Sequence, residues 1–216
     1  MSAATLAAPP VPPPGVPPTA PAPSSQPSPE WYRLTVAQYH QMIEARILGE
    51  EDPIELLDGY LVLKMPRGIA HDFAICALNK RLLRLVPDNY RVSNQCAATL
   101  ADDSEPEPDF TVARGDEDVY RHRKPGAADT AFVIEVSASS LGRDRGVKAR
   151  IYAAAGVPVY WVVNVDAKQV EVYTQPGGTG DAAAYARQDV FPVGTDVPVV
   201  LDGATVGTIA VADLMG

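Results

Sequence analysis

Apolar side chains follow two different patterns along this chain, and the two patterns separate predicted helices from predicted strands. Between residues 70 and 86 they return every three or four positions, which predicts a helix that Pro87 ends. Residues 131–137 and 159–165 are almost continuously apolar, as is typical of strands covered on both faces of a sheet.

Turn and capping signals indicate the other elements. Asp58-Gly59 between two β-type runs predicts a two-residue hairpin. Thr35 and Gln38 have the spacing of a capping box, which predicts a helix that starts at Thr35 and runs to Leu48. The remaining predicted elements are a helix over residues 143–155 and strands over residues 90–100, 108–113, 170–173, 184–190 and 197–209.

The order of these elements sets the fold class. Strand 131–137, helix 143–155 and strand 159–165 form a strand–helix–strand unit, which requires a crossover and a parallel pair. Hairpins elsewhere add antiparallel pairs. The sequence therefore predicts an α/β (α+β) fold, in which a mixed β-sheet core is flanked by helices and extended by extra C-terminal strands.

Proline is concentrated at the N-terminus. Of the 21 prolines among 216 residues, 11 lie in residues 1–30, which contain a single charged residue, Glu30. Such a segment has too few large apolar side chains to offset the entropy lost on ordering. We predict a disordered Pro/Ala-rich tail over residues 1–30 and one domain over residues 31–216. A plain spacer is the expected role of the tail, and binding of a protein partner is the alternative.

Targeting signals and cysteines give little else. No apolar stretch approaches the roughly 18–20 residues of a membrane span, and the tail lacks the basic start and apolar run of a signal peptide. Cys76 and Cys96 form no metal-binding pattern, so we expect two reduced, buried thiols. These features predict a cytoplasmic protein with no membrane partner.

Glu135 is the least expected residue, because it lies within the apolar strand Phe132-Val133-Ile134-Glu135-Val136. A carboxylate inside a central strand is costly unless it is paired, hydrogen-bonded or bound to metal. The structural alternative is a buried salt bridge to Arg143 or Arg150. The residue alone does not decide between structure and function.

Asp109 favours a function, because it is a second acid at the head of a short apolar strand. If the two strands are adjacent and antiparallel, the carboxylates of Asp109 and Glu135 lie side by side and repel each other. A divalent cation relieves that repulsion, and hard oxygen ligands suit Mg²⁺ or Mn²⁺. The pattern therefore predicts a metal site at Asp109 and Glu135.

Lys148 is the third candidate residue. It follows Asp144 by four positions on the helix after the Glu135 strand, a spacing that also describes an ordinary surface ion pair. In the functional interpretation, its ammonium lies over the two carboxylates. There it would steady an attacking water and the charge that develops on a phosphate.

Pro108-Asp109 and Ile134-Glu135-Val136 resemble the motif of the PD-(D/E)XK nuclease superfamily. In that superfamily an Asp and a Glu bind Mg²⁺, and a Lys assists phosphodiester hydrolysis. The usual Lys would stand two residues after the Glu, where this chain has Ser137. Some members carry the Lys on the following helix instead, and Lys148 fits that variant.

A more specific resemblance is to the Uma-two family of restriction-endonuclease-like proteins, over about residues 33–175. The matching stretches are residues 54–59, 66–71, 108–109, 133–137, Lys148 with Tyr152, and 156–163. The resemblance implies a restriction-endonuclease-like fold and DNA cleavage, and many enzymes of this type cut as homodimers. It also implies Glu55 as a further acid of the metal site, whereas the residues alone equally allow a surface carboxylate at a strand end.

The formal net charge of −9 does not exclude a nucleic-acid substrate. Residues 64–91 carry six Lys or Arg against two acids, and residues 119–150 carry seven against three, so each segment has a net charge of +4. Such segments are compatible with phosphate binding, although they also describe solvated helix faces. We expect an Mg²⁺- or Mn²⁺-dependent endonuclease; the alternative is an inactive nuclease fold that binds DNA or protein.

Overall fold

A computed structural model describes residues 31–49 and 52–216 of the chain. Residues 32–216 form one compact unit. The predicted tail over residues 1–30 lies outside the described residues. Across the described part, no helix is both long and apolar enough to span a membrane.

The first elements form where the capping and turn signals predict them. Helix α1 (Val36–Glu44) starts with a complete capping box between Thr35 and Gln38. It ends before the predicted Leu48, because Arg46 adopts a left-handed conformation with φ 55°.

Strands β1 (Ile54–Leu57) and β2 (Tyr60–Leu63) pair antiparallel, with Leu57 opposite Tyr60. Both turn residues have positive φ, 49° at Asp58 and 77° at Gly59, as a tight hairpin of this twist requires. The predicted hairpin is thus present.

Helix α2 (Ile69–Leu85) ends just before Pro87, as predicted. Its inward face is formed by Ala74, Leu78 and Leu82, together with His71. Phe73, one of the apolar residues behind the predicted periodicity, is 47% exposed, because it lies one residue to the side of the Ala74–Leu78–Leu82 stripe.

The core is a six-stranded mixed sheet in the order β3-β4-β5-β6-β7-β8, as the fold class predicts. The strands are β3 (Tyr90–Asn94), β4 (Phe110–Arg114), β5 (Thr130–Ser137), β6 (Val159–Asn164), β7 (Gln169–Gly177) and β8 (Ala184–Pro192). Strands β5 and β6 are parallel and all other neighbours are antiparallel. Strand β3 is shorter than predicted, because Gln95 has φ 51° and interrupts it.

Each face of the sheet is covered by a layer of other elements. On one face, α2 and the hairpin of β9 (Asp196–Leu201) and β10 (Ala204–Ala210) share a core with Phe132 and Trp161. The opposite face is covered by the segment that we predicted as one helix over residues 143–155. It consists of α3 (Leu141–Arg143), a π-helical turn (Asp144–Lys148) and α4 (Ala149–Ala154).

Three short 3₁₀ helices complete the described elements, at Glu117–Tyr120, Gly180–Ala182 and Val211–Leu214. The prediction of buried thiols is wrong. Cys76 and Cys96 are free, but both are exposed. Cys76 lies on the outer side of α2, away from the Ala74–Leu78 stripe.

The two Asp-Gly hairpins provide a matched stability test. An added Cβ at Gly59 would lie 2.5 Å from Cβ of Arg33, whereas one at Gly203 would meet no atom within 4 Å. Both glycines have positive φ, 77° and 82°. We expect Gly203→Ala to cost about 1 kcal/mol in the free energy of unfolding and Gly59→Ala about 2–3 kcal/mol, measured by urea denaturation. Equal losses would contradict the steric argument.

Candidate active site

The four candidate residues line one open cleft at the C-terminal end of β5. Glu55, Asp109, Glu135 and Lys148 all contribute to its wall, although they come from four different segments of the chain. The cleft encloses about 70 Å³, which holds a few water molecules but no nucleotide. A large substrate would therefore lie across its mouth.

Glu135 lies in the middle of β5 and is only 4% exposed. Its Oε1 atom accepts hydrogen bonds from Nζ of Lys148, at 2.9 Å, and from the hydroxyl of Tyr152, at 2.6 Å. The buried salt bridge that was the structural alternative is present, with Lys148 as its partner and not Arg143 or Arg150, the two examples that the sequence suggested.

Asp109 immediately precedes β4 and is brought beside Glu135 by strand pairing. Phe110 lies opposite Ile134 in the antiparallel β4–β5 ladder, so the next position along faces Glu135. The Oδ2 atom of Asp109 accepts a hydrogen bond from the backbone N–H of Val136, at 2.8 Å. The predicted adjacency of the two acidic strands is confirmed.

Lys148 reaches the carboxylates from the π-helical turn. Its Nζ lies 2.9 Å from Oε1 of Glu135 and 3.1 Å from Oε2 of Glu55, and the residue is 5% exposed. Burial disfavours the ammonium, but the two carboxylates outweigh that effect and raise the pKa of Lys148 above its usual value. The side chain is therefore a fixed, buried cation.

Glu55 is buried at the start of β1, so the alternative of a surface carboxylate is wrong. Its Oε2 accepts a hydrogen bond from the backbone N–H of Glu107, at 3.2 Å. Its Oε1 lies 3.6 Å from Nη1 of Arg143. Glu55 thus shares Lys148 with Glu135 but lies in a more heavily neutralised position.

Asp144 is a buried acid, although its spacing to Lys148 also fitted an ordinary surface ion pair. Its Oδ2 accepts hydrogen bonds from the hydroxyls of Ser137 and Ser140, both at 2.6 Å. Burial raises its pKa. Ser137, which stands where the superfamily usually has Lys, therefore fastens the following helix to β5. The spacing of four residues between Asp144 and Lys148 was visible in the sequence, but the burial of Asp144 was not.

His71 also lines the cleft, and sequence reasoning left it out. Its Nε2 lies 3.3 Å from Oδ2 of Asp109. Burial opposes protonation, but the hydrogen bond to Asp109 and the charge of that carboxylate raise the pKa of His71. Its place at the start of α2, inside a stretch with family resemblance, was the only available signal.

Each strand acid presents one oxygen atom to the cleft. In the described part of the chain, no hydrogen bond reaches Oδ1 of Asp109 or Oε2 of Glu135, since their protein partners all contact the other oxygen. No three His, Cys, Asp or Glu side chains among residues 31–49 and 52–216 converge to hold a metal ion. Two carboxylates nevertheless suit Mg²⁺, which completes its shell with water and phosphate oxygens.

Charge in the cleft is nearly balanced. Five carboxylates and four basic side chains line it: Glu55, Glu107, Asp109, Glu135 and Asp144, with Lys64, Arg67, Arg143 and Lys148. Burial raises the pKa of Glu135, against the opposing charge of Lys148. Asp109 and Glu135 are buried, whereas Lys64 and Arg143 are half-buried, so the arrangement can accommodate a cation at the two acids and a phosphate beside the more exposed bases.

Two comparisons with known proteins identify a family and a fold for this chain. The family model Uma2, described as "Putative restriction endonuclease", matches residues 36–210. The crystal structure of a "putative nuclease belonging to DUF820" from Anabaena variabilis superimposes with a TM-score of 0.60 at 17% identity, covering 84% of this chain and 97% of that one. This likeness shows a common fold. No curated protein sequence matches the chain.

A double-mutant cycle tests the buried pair. Lys148→Met leaves Glu55 and Glu135 without their cation and should lower the free energy of unfolding at pH 7 by about 3–5 kcal/mol. Removing Glu135 as well should cost less than the sum of the single changes, because the remaining charge is smaller. Urea denaturation of Lys148→Met, Glu135→Gln and the double variant measures this coupling.

The matched control is Arg187→Met. Arg187 pairs with Asp189 in an exposed position on β8. This change should cost no more than about 1 kcal/mol. Strict additivity of the two site variants would contradict a direct Glu135–Lys148 interaction.

Proposed function

The chain belongs to the Uma2 family, and from that membership and the geometry of the cleft we propose that it is an Mg²⁺- or Mn²⁺-dependent endonuclease that hydrolyses DNA phosphodiester bonds. Family and fold support a nuclease in general. The single observation that carries the finer proposal is the side-by-side placement of Asp109 and Glu135, each with one oxygen open to the cleft, beneath a buried ammonium.

In this proposal Asp109 and Glu135 hold the metal ion, and Glu55 lines the same cleft and shares Lys148 with Glu135. A bound divalent ion lowers the pKa of a coordinated water and stabilises negative charge on the phosphate. Tyr152 keeps one oxygen of Glu135 occupied, so that the other stays directed at the cleft. The backbone N–H of Val136 does the same for Asp109.

Lys148 has the role of stabilising the reacting groups. An ammonium group has three N–H donors, and Glu135 accepts one of them, while Glu55 lies 3.1 Å away as an ion-pair partner. A remaining donor is available to an attacking water or to a non-bridging phosphate oxygen. Because Lys148 is already held between two acids, it needs no rearrangement when charge develops on the phosphate.

The basic rim supports a polyanionic substrate. Arg67 donates a hydrogen bond to Gln95, and Arg143 to the carbonyl oxygen of Leu63, so both guanidinium groups are fixed at the mouth of the cleft. Fixed cations beside buried acids bind phosphates on either side of the scissile bond.

The free cysteines fit a reducing compartment, and we place the protein in the cytoplasm.

Plasmid cleavage tests the proposal. The wild-type chain should nick supercoiled DNA in Mg²⁺ or Mn²⁺ and lose this activity in EDTA. Glu135→Gln and Asp109→Asn should abolish nicking, because each removes a charged oxygen ligand. Glu117→Gln, which changes an exposed acid on the first 3₁₀ helix, is the matched control and should cleave as the wild type does. DNA binding without cleavage by the wild type would favour the inactive DNA-binding module.

Metal binding can be measured without a substrate. Mg²⁺ at 100 times its Kd should raise the free energy of unfolding by about 2.7 kcal/mol. Asp109→Ala should lose this stabilisation, because it removes one of the two open oxygens. The readout is the melting temperature with and without Mg²⁺. An equal shift in the variant would show that the ion binds elsewhere.

A further inference from the structure

A second buried acid lies on the same face of the sheet as Glu135 and has no part in the cleft. Glu171 on β7 is fully buried. Strand register aligns it with Glu135, because Val162 of β6 pairs with Glu135 on one side and with Glu171 on the other. Two strand spacings separate the two acids, which is roughly 10 Å.

Arg145 pairs with Glu171 through two parallel hydrogen bonds. Its Nε donates to Oε2 at 2.9 Å, and its Nη2 donates to Oε1 at 2.5 Å. The hydroxyl of Tyr173 and the amide of Gln169 donate to the same carboxylate, at 2.9 and 3.1 Å. Burial works against the charged form, but these donors hold the pKa of Glu171 below its usual value. The pair is therefore ionised and geometrically fixed.

Arg145 and Lys148 belong to the same π-helical turn, Asp144–Lys148. The turn crosses the sheet so that Lys148 pairs with Glu135 and Arg145 pairs with Glu171. A π-helical turn is an uncommon conformation that depends on contacts from its surroundings. Two ion pairs to strands on either side of β6 resist both rotation and sliding of the turn.

We propose that Arg145 and Glu171 are positioning residues: their ion pair fixes the π-helical turn on the sheet and thereby holds the ammonium of Lys148 between Glu135 and Glu55. The consequence for catalysis rests on the function proposed above. The placement of Lys148 does not, and it can be measured separately.

The test compares Glu171→Gln and Arg145→Gln with Asp189→Asn, which breaks an exposed ion pair on the neighbouring strand β8. The first readout is the ¹H–¹⁵N signal of the Lys148 ammonium in the full chain at fixed pH, assigned by its loss in Lys148→Met. We expect this signal to shift or broaden in both site variants and to stay unchanged in Asp189→Asn.

The second readout is cleavage of plasmid DNA in Mg²⁺. Misplacement of Lys148 should lower kcat about 10- to 100-fold with little change in KM, as is usual when the support of a reacting group is lost. Arg145→Lys keeps the charge but not the two parallel hydrogen bonds, so it should recover part of the loss. A purely stabilising pair would lower the melting temperature without this split between kcat and KM.

The outcomes separate the two proposals. An unchanged Lys148 signal overturns the positioning role, whatever the rate. A shifted signal with an unchanged kcat in a cleaving enzyme also overturns it. If the wild type does not cleave, the signal alone decides, and only the nuclease function fails. If Arg145→Gln does not fold, because it leaves the buried carboxylate of Glu171 without its cation, Glu171→Gln decides, since it removes that charge and leaves Arg145 43% exposed.

Discussion

The burial of Glu135 in the middle of β5 is the constraint on which the rest of the site depends. Removing one carboxylate from water costs several kcal/mol, so the fold must bring compensating groups to it. Lys148 and Tyr152 do so, and both come from the segment that crosses from β5 to the parallel strand β6. The crossover therefore links the two strands and also supplies the ammonium and hydroxyl groups that compensate the buried carboxylate of Glu135.

The negative charge of the buried carboxylates is only partly compensated, and the uncompensated part is what gives the cleft its chemical interest. One ammonium is shared by Glu135 and Glu55, and Arg143 also lies near Glu55, while among the described residues Asp109 has only the N–H of Val136 and a contact to His71. Carboxylates so close together repel each other, and burial adds to that cost. If a divalent ion binds there, as proposed, it relieves this repulsion, so that stability and metal affinity would be coupled through the same oxygen atoms.

Local patterns in the sequence predicted the central strands and the Asp-Gly hairpin, because apolar runs and turn chemistry act over a few residues. The adjacency of Asp109 to Glu135 was a condition of the metal-site prediction, and the pairing of β4 with β5 meets it. The burial of Asp144 could not be read in this way. Its spacing to Lys148 fits a solvated helix face equally well, and only packing against Ser137 decides. The exposure of Cys76 depends likewise on which side of α2 meets the core.

Because a helical segment carries the ammonium, the position of the ammonium depends on how that segment is attached to the sheet. A Lys two residues after Glu135 would be fixed by the strand itself, whereas Lys148 is thirteen residues away and depends on how the π-helical turn sits on the sheet. Ser137 occupies the strand position and hydrogen-bonds Asp144, and Tyr160 donates to the backbone oxygen of Asp144 at 3.0 Å. The residue that departs from the usual motif thus helps to hold the segment that supplies its replacement. Moving a charged group from a strand to a helix therefore requires anchors along that helix.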